Sequence, residues 1–242
     1  GFLPVELKVI EDYYKKGGNF IFLLGPQMVE AKLDPLYSLL ESMGVRFVNS
    51  IVIDRLATVQ GSNATVPILN DFNQSHIATK GFKNRIIMPL SAAIEKTPHH
   101  PSQYKYLARS SLFPGSWAEN DIAGVTSGKA AFNENEDSKG PIDILATSYN
   151  KNNSSKLVVS SSLSFLMNGY QTQAANFNLF LNALAWSVDD LGMLSITRPG
   201  LDSERLIISL NQETLILFFL LICLPSLFFA LAIYMYRRRV NK

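Results

Sequence analysis

An α/β domain on a mainly parallel sheet, held to a membrane by one C-terminal helix, is the architecture this sequence predicts. Three observations carry it. Short apolar runs bounded by glycines alternate with segments of helical periodicity, the rhythm of layered α/β folds. Polar stretches rich in Gly, Asn, Ser and Pro interrupt that rhythm from Arg55 to Lys83 and from Pro114 to Pro141, and read as long loop insertions. Residues Leu215 to Tyr236 then run without one charge and stop at Arg237, Arg238 and Arg239.

Taken in order, Pro4 to Lys16 is a helix stopped by Gly17 and Gly18, although its apolar Val5, Leu7, Val9, Ile10, Tyr13 and Tyr14 mix two spacings. "NFIFLLG" is an uninterrupted apolar run, which suits a strand covered on both faces. "LDPLYSLLESMGV" predicts a helix with Asp34 as N-cap, Pro35 at its first position, a stripe of Leu36, Leu39, Leu40 and Met43, and Gly44 past its end. "NSIVID" follows as a strand, and "RIIMPLSAAIE" contains another. "PIDILATSY" and "KLVVSSS" are strands joined by the turn "NKNNSS". "NFNLFLNALAWSVDD" closes the domain as a helix with Phe177, Phe180, Leu181, Leu184 and Ala185 on one face. Beyond it, strands around Ile196 and Ile207 are expected on either side of a bend at Pro199 and Gly200.

Crossing a hydrocarbon core of ~30 Å takes about 20 apolar residues in a helix, which the C-terminal run supplies. A buried core helix rarely goes so far without a polar stripe. Pro225 sits mid-span, where Ser226 or a neighbouring helix can satisfy the carbonyl that proline frees. Tyr234 and Tyr236 fall at the level of an interfacial aromatic belt, and the arginines beside them place the tail in the cytoplasm. The chain accordingly divides into an extracytoplasmic α/β domain (1–190), a membrane-proximal connector (191–213), a span (214–236) and a basic cytoplasmic tail (237–242). The connector is apolar and strand-like rather than Gly/Ser-rich, so a packed connection is expected. Ser226, Ala230 and Ala232 are small enough for close helix approach, to a partner's helix or to a second copy of this one.

The net charge of +2 owes much to the tail, which leaves no concentrated basic face for nucleic acid. The one cysteine, Cys223, lies in the span, so the domain has neither a disulfide nor a thiolate of its own. Ser160, Ser161 and Ser162 follow a strand without the flanking glycines of a nucleophile elbow, and read as strand-end hydrogen bonders whose loss folding should barely register. His99 and His100, adjacent in a proline-flanked loop, do not suit one metal, and Glu134, Glu136 and Asp137 lack calcium-loop spacing. Gly17 and Gly18 precede a strand, the wrong order for cradling phosphate. No catalytic, cofactor or metal residue is therefore expected. Candidate ligand or partner contacts are Asp54, at a strand's carboxyl end, His76, Trp117 and Glu119. Trp117 reads better as an aromatic that pins a long loop to the core than as the wall of a pocket shared with Phe132.

"YYKKGGNFIFLLGPQ", "LDPLYSLLESMGVRFVNSIVID", "SHIAT", "SWAE", "DSKGPIDILA", "KLVVSSSLSFLMNG", "NFNLFLNALAW" and the terminal span together resemble the auxiliary membrane subunit of bacterial gliding-motility-associated (Gld-type) ABC transporters. The resemblance covers nearly the whole chain in the same order. It implies a Rossmann-like, flavodoxin-like extracytoplasmic domain, related to non-catalytic domains of oligosaccharyltransferase and intraflagellar transport subunits. It further implies a bacterial inner-membrane complex with a permease and an ATPase. Members usually carry a membrane helix and further strands before the helix that opens this chain, so an N-terminal part of the domain is expected upstream. Two other readings remain: a tethered receptor for a solute or glycan, and an amidotransferase-like hydrolase, which would need a cysteine that the domain lacks.

Overall fold

The computed structural model describes residues 2–28, 33–170, 174–190 and 210–240. Helix α1 (Pro4–Lys15), strand β1 (Phe20–Leu23) and helix α2 (Asp34–Ser42) come in the expected order. The mixed spacings of α1 separate into two faces: Leu7 and Tyr14 are buried, while Val5, Val9 and Tyr13 stand 73%, 64% and 53% exposed. On α2, the predicted stripe of Leu36, Leu39, Leu40 and Met43 is buried throughout. Asp34 is not the cap but the first helical residue, where the helix dipole favours a carboxylate; Leu33 occupies the cap position. Gly44 closes the helix at φ +92°, and a Cβ there would fall 2.0 Å from Ser102 Oγ and 2.6 Å from His100 Nδ1.

The chain continues through β2 (Val45–Val48), β3 (Ile51–Asp54), β4 (Ile68–Leu69), β5 (Asp71–Phe72), β6 (Ile86–Ile87), β7 (Ala93–Lys96), β8 (Gln103–Arg109) and β9 (Ser116–Glu119). Then come α3 (Ile122–Thr126), β10 (Ser138–Lys139), β11 (Asp143–Tyr149), β12 (Lys156–Ser160), a 3₁₀ turn (Ser164–Leu166) and α4 (Asn176–Ser187). The main sheet runs β1-β12-β11-β7-β2, with β8 also on β11 and β5 on β8. Among the described strands only β1 and β12 are parallel, so the sheet is mixed and not mainly parallel. The cause was in the chain: a turn as short as "NKNNSS" can join only antiparallel neighbours, because a parallel return needs a crossover of a dozen or more residues. β11 meets β12 along one edge and both β7 and β8 along the other, with Asp143 opposite Ile94 and Arg109 alike.

Two cores sandwich this sheet. Leu7, Tyr14, Leu36, Leu40, Leu157 and Val159 fill the α1/α2 side; Val158, Leu145, Phe165, Leu179 and Ala183 fill the α4 side, so successive β12 residues serve opposite faces. The long polar stretches are more than loops. β3, β9 and β10 form a small antiparallel sheet, and β4 pairs with β6. On α4 the predicted face is rotated: Phe177 is exposed, and Asn176, Leu179, Ala183, Ala185 and Ser187 are buried. Small residues let this helix sit close to the sheet, so bulk was a misleading guide to its inner side.

At the C-terminus α5 (Leu210–Phe218), a π turn (Phe219–Cys223) and α6 (Leu224–Val240) follow one another. Gln212–Arg239 contains an 18-residue stretch of mean hydropathy 2.8 and has no buried residue, long and apolar enough to cross a membrane. The π turn ends two residues before Pro225, whose ring would clash in an ordinary helix with the carbonyl four residues back, that of Leu221 inside the turn. Ser226 Oγ donates to Cys223 O at 2.9 Å, and not to the Leu221 carbonyl four residues before Pro225 that the proline leaves without its usual donor. Most of the connector, including the strands expected around Ile196 and Ile207, lies outside the described residues.

Candidate functional site

The four residues proposed as ligand or partner contacts are all turned inward. Asp54, fully buried at the end of β3, accepts backbone N–H bonds from Leu56 and Ala57 through Oδ1 and from Ser111 through Oδ2, at 2.8–3.0 Å. Its carboxylate clasps two connections together and faces no crevice. Glu119 is 3% exposed and accepts from Trp117 Nε1 at 3.2 Å and from the Asp121 N–H at 3.1 Å. Trp117 is core: it packs with Ile51, Ile53 and Ala64, lies 6.4 Å from Phe132 between ring centroids, and carries the Arg55 guanidinium 4.7 Å above its ring.

His76 is buried in a chain of hydrogen bonds. Its Nδ1 accepts the Ala78 N–H at 3.2 Å, which leaves the proton on Nε2, 3.3 Å from Thr147 Oγ1; that hydroxyl donates to Lys105 O. The ring meets Trp186 edge to face at 5.0 Å. Burial, and secondarily the Lys105 charge, hold its pKa down to about 4, so the imidazole is neutral at neutral pH. His100 is structural as well, bridging Ser102 Oγ at 2.9 Å and Ser42 O at 3.0 Å beneath the end of α2. Among the described residues, no three His, Cys, Asp or Glu side chains converge on a point where a metal could sit.

Ser160, Ser161 and Ser162 are fully buried, and their hydroxyls end on Ser162 O, on Ala92 O and Ile144 O, and on Pro89 O respectively. They are strand-end hydrogen bonders, but not dispensable ones. The expectation that folding would barely register their loss is corrected by this burial: a triple Ser→Ala variant strands several carbonyls and should lose about 2 kcal/mol. Urea unfolding of the detergent-solubilised chain checks this; an unchanged midpoint would show that the hydroxyls contribute nothing net.

One concave feature does carry exposed polar chemistry. Where β7 and β8 part from β11, a shallow cleft of about 300 Å3 is lined by Glu95, Lys96, Tyr104, Lys139, Pro141 and Asp143. Tyr104 donates to Asp143 Oδ2 at 2.7 Å. Burial raises both pKa values, that of Asp143 above the usual carboxylate range and that of Tyr104 above the usual phenol range. Each group is therefore pushed toward its neutral form, the wrong direction for a nucleophile and the right one for a fixed hydrogen bond. Arg109 lies alongside, 3.0 Å from Tyr106 Oη, 3.2 Å from Asp71 and stacked 3.7 Å over the Tyr106 ring. Sequence reasoning missed this cleft, although a lone aspartate opening the apolar run "DILA" was a signal.

No family model matches the chain, and no curated protein does. Among solved structures it is similar to one described as the mmIFT52 N-terminal domain, with a TM-score of 0.55 and 18% identity over 76% of this chain and 71% of that one. A ThuA-like protein from Bacteroides uniformis aligns at a TM-score of 0.42 and 16% identity, over 77% of this chain and 64% of the other. At such identities the first likeness speaks for the fold alone, and the second is too loose in shape to support a functional argument.

Proposed function

We propose that this chain is a non-enzymatic, membrane-anchored auxiliary subunit of an ABC transporter, its α/β domain serving outside the cytoplasm as a scaffold or coupling piece beside a permease and an ATPase. The observation that carries the anchored part is the Gln212–Arg239 helix, uncovered along its length and closed by Arg237, Arg238 and Arg239. The scaffold part is supported by the inward use of the domain's reactive groups: Asp54, His76, Glu119 and the three serines are spent on holding backbone. The transporter partnership comes from the resemblance of the sequence to Gld-type subunits, and the Rossmann-like kinship belongs with it. The likeness to the IFT52 N-terminal domain bears on the fold of that expectation only.

A reporter active only in the cytoplasm, fused after Lys242, should give signal, and the same reporter inserted at Gly61 should not; the opposite pattern would invert the orientation. Purified from bacterial membranes in mild detergent, the chain should bring with it a multi-span permease and an ATPase in fixed ratio. Recovery alone from cells that express both would remove the transporter reading and leave the anchored domain.

A further inference from the structure

The last turn of α6 carries charge that nothing in the described chain answers. Arg237, Arg238 and Arg239 stand exposed in a helix that continues to Val240, and among the described residues none of them forms an ion pair. Glu213 is the last acidic residue of the sequence, and it lies at the far end of the Gln212–Arg239 helix, roughly 36 Å away at the rise of an α-helix. No carboxylate of that helix can reach the arginines.

Because the helix runs through them, successive side chains turn by about 100°. Tyr236, Arg237, Arg238 and Arg239 therefore take four different sides of it: the arginines hold three, and Tyr236 the fourth. The charge forms a collar, not a patch. Tyr234 and Tyr236, 63% and 71% exposed, mark its depth, since the tyrosine rings of a spanning helix settle where hydrocarbon meets headgroups. The guanidinium groups beside them then lie at the level of the lipid phosphates.

Two ordinary duties already fall to positive residues at this place. They complement the negative end of the helix dipole, and they orient the span. Lysine would serve both equally well, and lysine is what the chain favours elsewhere: twelve lysines against six arginines precede Arg237. Arginine alone offers a planar fork of donors that closes on two oxygens of one phosphate, and it is more weakly hydrated than an ammonium.

We propose that the collar is a binding site for acidic phospholipids, each guanidinium closing on the phosphodiester of a separate headgroup. The geometry selects among sources of phosphate. A soluble phosphate compound, or an acidic segment of another protein, approaches the helix from one side and meets one or two of the arginines; a leaflet surrounds the helix and presents phosphates to all three. Zwitterionic lipid carries the same phosphate but adds a cation that the collar repels, so lipids of net negative charge are preferred. The site rests on the anchored reading given above and not on the transporter partnership.

The test reconstitutes the full-length chain in phosphatidylcholine vesicles that hold a trace of spin-labelled phosphatidylglycerol or spin-labelled phosphatidylcholine. Electron paramagnetic resonance then reads the fraction of each label immobilised against the protein. With the native chain, phosphatidylglycerol should associate about five-fold more strongly than phosphatidylcholine, the worth of one basic side chain at an acidic surface. The variant Arg237→Lys, Arg238→Lys, Arg239→Lys keeps the charge and the orientation but loses the fork, and its preference should fall to about two-fold. Glutamine at the same three positions should abolish the preference. Inorganic phosphate in large excess should leave the native preference unchanged. Equal association of the two lipids with the native chain, or a lysine variant as selective as the native one, would overturn the proposal. So would displacement of the lipid by inorganic phosphate, or capture of an acidic protein segment and no lipid by a photo-crosslinking amino acid set in place of Arg238 in native membranes. Loss of the native chain from the vesicles in an alkaline carbonate wash would overturn the anchored reading and the site together, a result distinct from an inserted chain with no lipid preference.

Discussion

Replacing Asn176 with alanine should remove roughly 3–5 kcal/mol of stability, a large part of the 5–15 kcal/mol that holds a typical domain together. The fully buried amide saturates its surroundings: Oδ1 accepts the Ile87 N–H at 2.8 Å, and Nδ2 donates to Ile87 O and Phe165 O, each at 2.8 Å. One side chain thereby ties β6, the 3₁₀ turn and the start of α4. Truncation leaves one donor and two acceptors unpaired where water has no ready access, and the penalty for each is the desolvation already spent on it. Asn176→Asp is the telling companion. It keeps the shape and the acceptor for Ile87 N–H but sets one carboxylate oxygen against two carbonyls, so it should be no better than alanine. Urea unfolding of the detergent-solubilised chain, followed by tryptophan fluorescence, measures both. A loss under 1 kcal/mol for the alanine variant would show that the three strands of structure are held by packing and not by this clasp.

Acid should weaken the domain through His76 by about 3 kcal/mol. The histidine's folded pKa, about 4, lies below its ordinary value near 6.5, so the unfolded chain takes up the proton first. The sign follows: the contribution is fully present above pH 6.5 and is lost as pH falls from there through 4, with a slope approaching 1.4 kcal/mol per unit. Burial of the ring is the main cause, with the Lys105 charge behind it; a second ring proton would also have to sit on Nδ1, which already faces the Ala78 N–H. Stability measured against pH should therefore fall between pH 6.5 and 4 in the native chain, and the His76→Gln variant should lack that component. Trp186, packed on the imidazole, offers a local reading of the same event by fluorescence quenching. Identical pH slopes in the two proteins would mean that His76 does not carry the effect.

Much of this fold could be read from the chain, and the failures have a common source. α2 was legible because its stripe is regular and its ends are marked by Pro35 and Gly44; β12 and the long apolar C-terminal helix were legible because continuous apolar runs have few alternative uses. β8 escaped notice because "QYKYLAR" mixes charges with half-buried tyrosines, and only its long pairing with β11 makes it a strand. "NSIVID" was read as a strand and holds β3, but β2, over "VRFV" just before it, was not read; the two go to different sheets, a choice made by distant partners in β7 and β9. The same limit applies to the candidate site. A carboxylate at a strand end looks alike in sequence whether it meets a ligand or, like Asp54 and Glu119, its own backbone. Trp117 was the exception, since a large aromatic in a polar stretch has to be buried somewhere.

The π turn at Phe219–Cys223 changes how the apolar C-terminal helix can be shared. An ordinary helix advances about 100° per residue, and a wider turn takes in one residue more, so the angular phase of everything after it slips by about that amount. Side chains before Phe219 and after Cys223 that an unbroken helical wheel would align therefore point in different directions. The helix offers its surroundings two sectors instead of one continuous seam: one around Leu215 and another around Ser226 and Ala230. Two separate neighbours can be addressed by one helix in this way, each at its own depth.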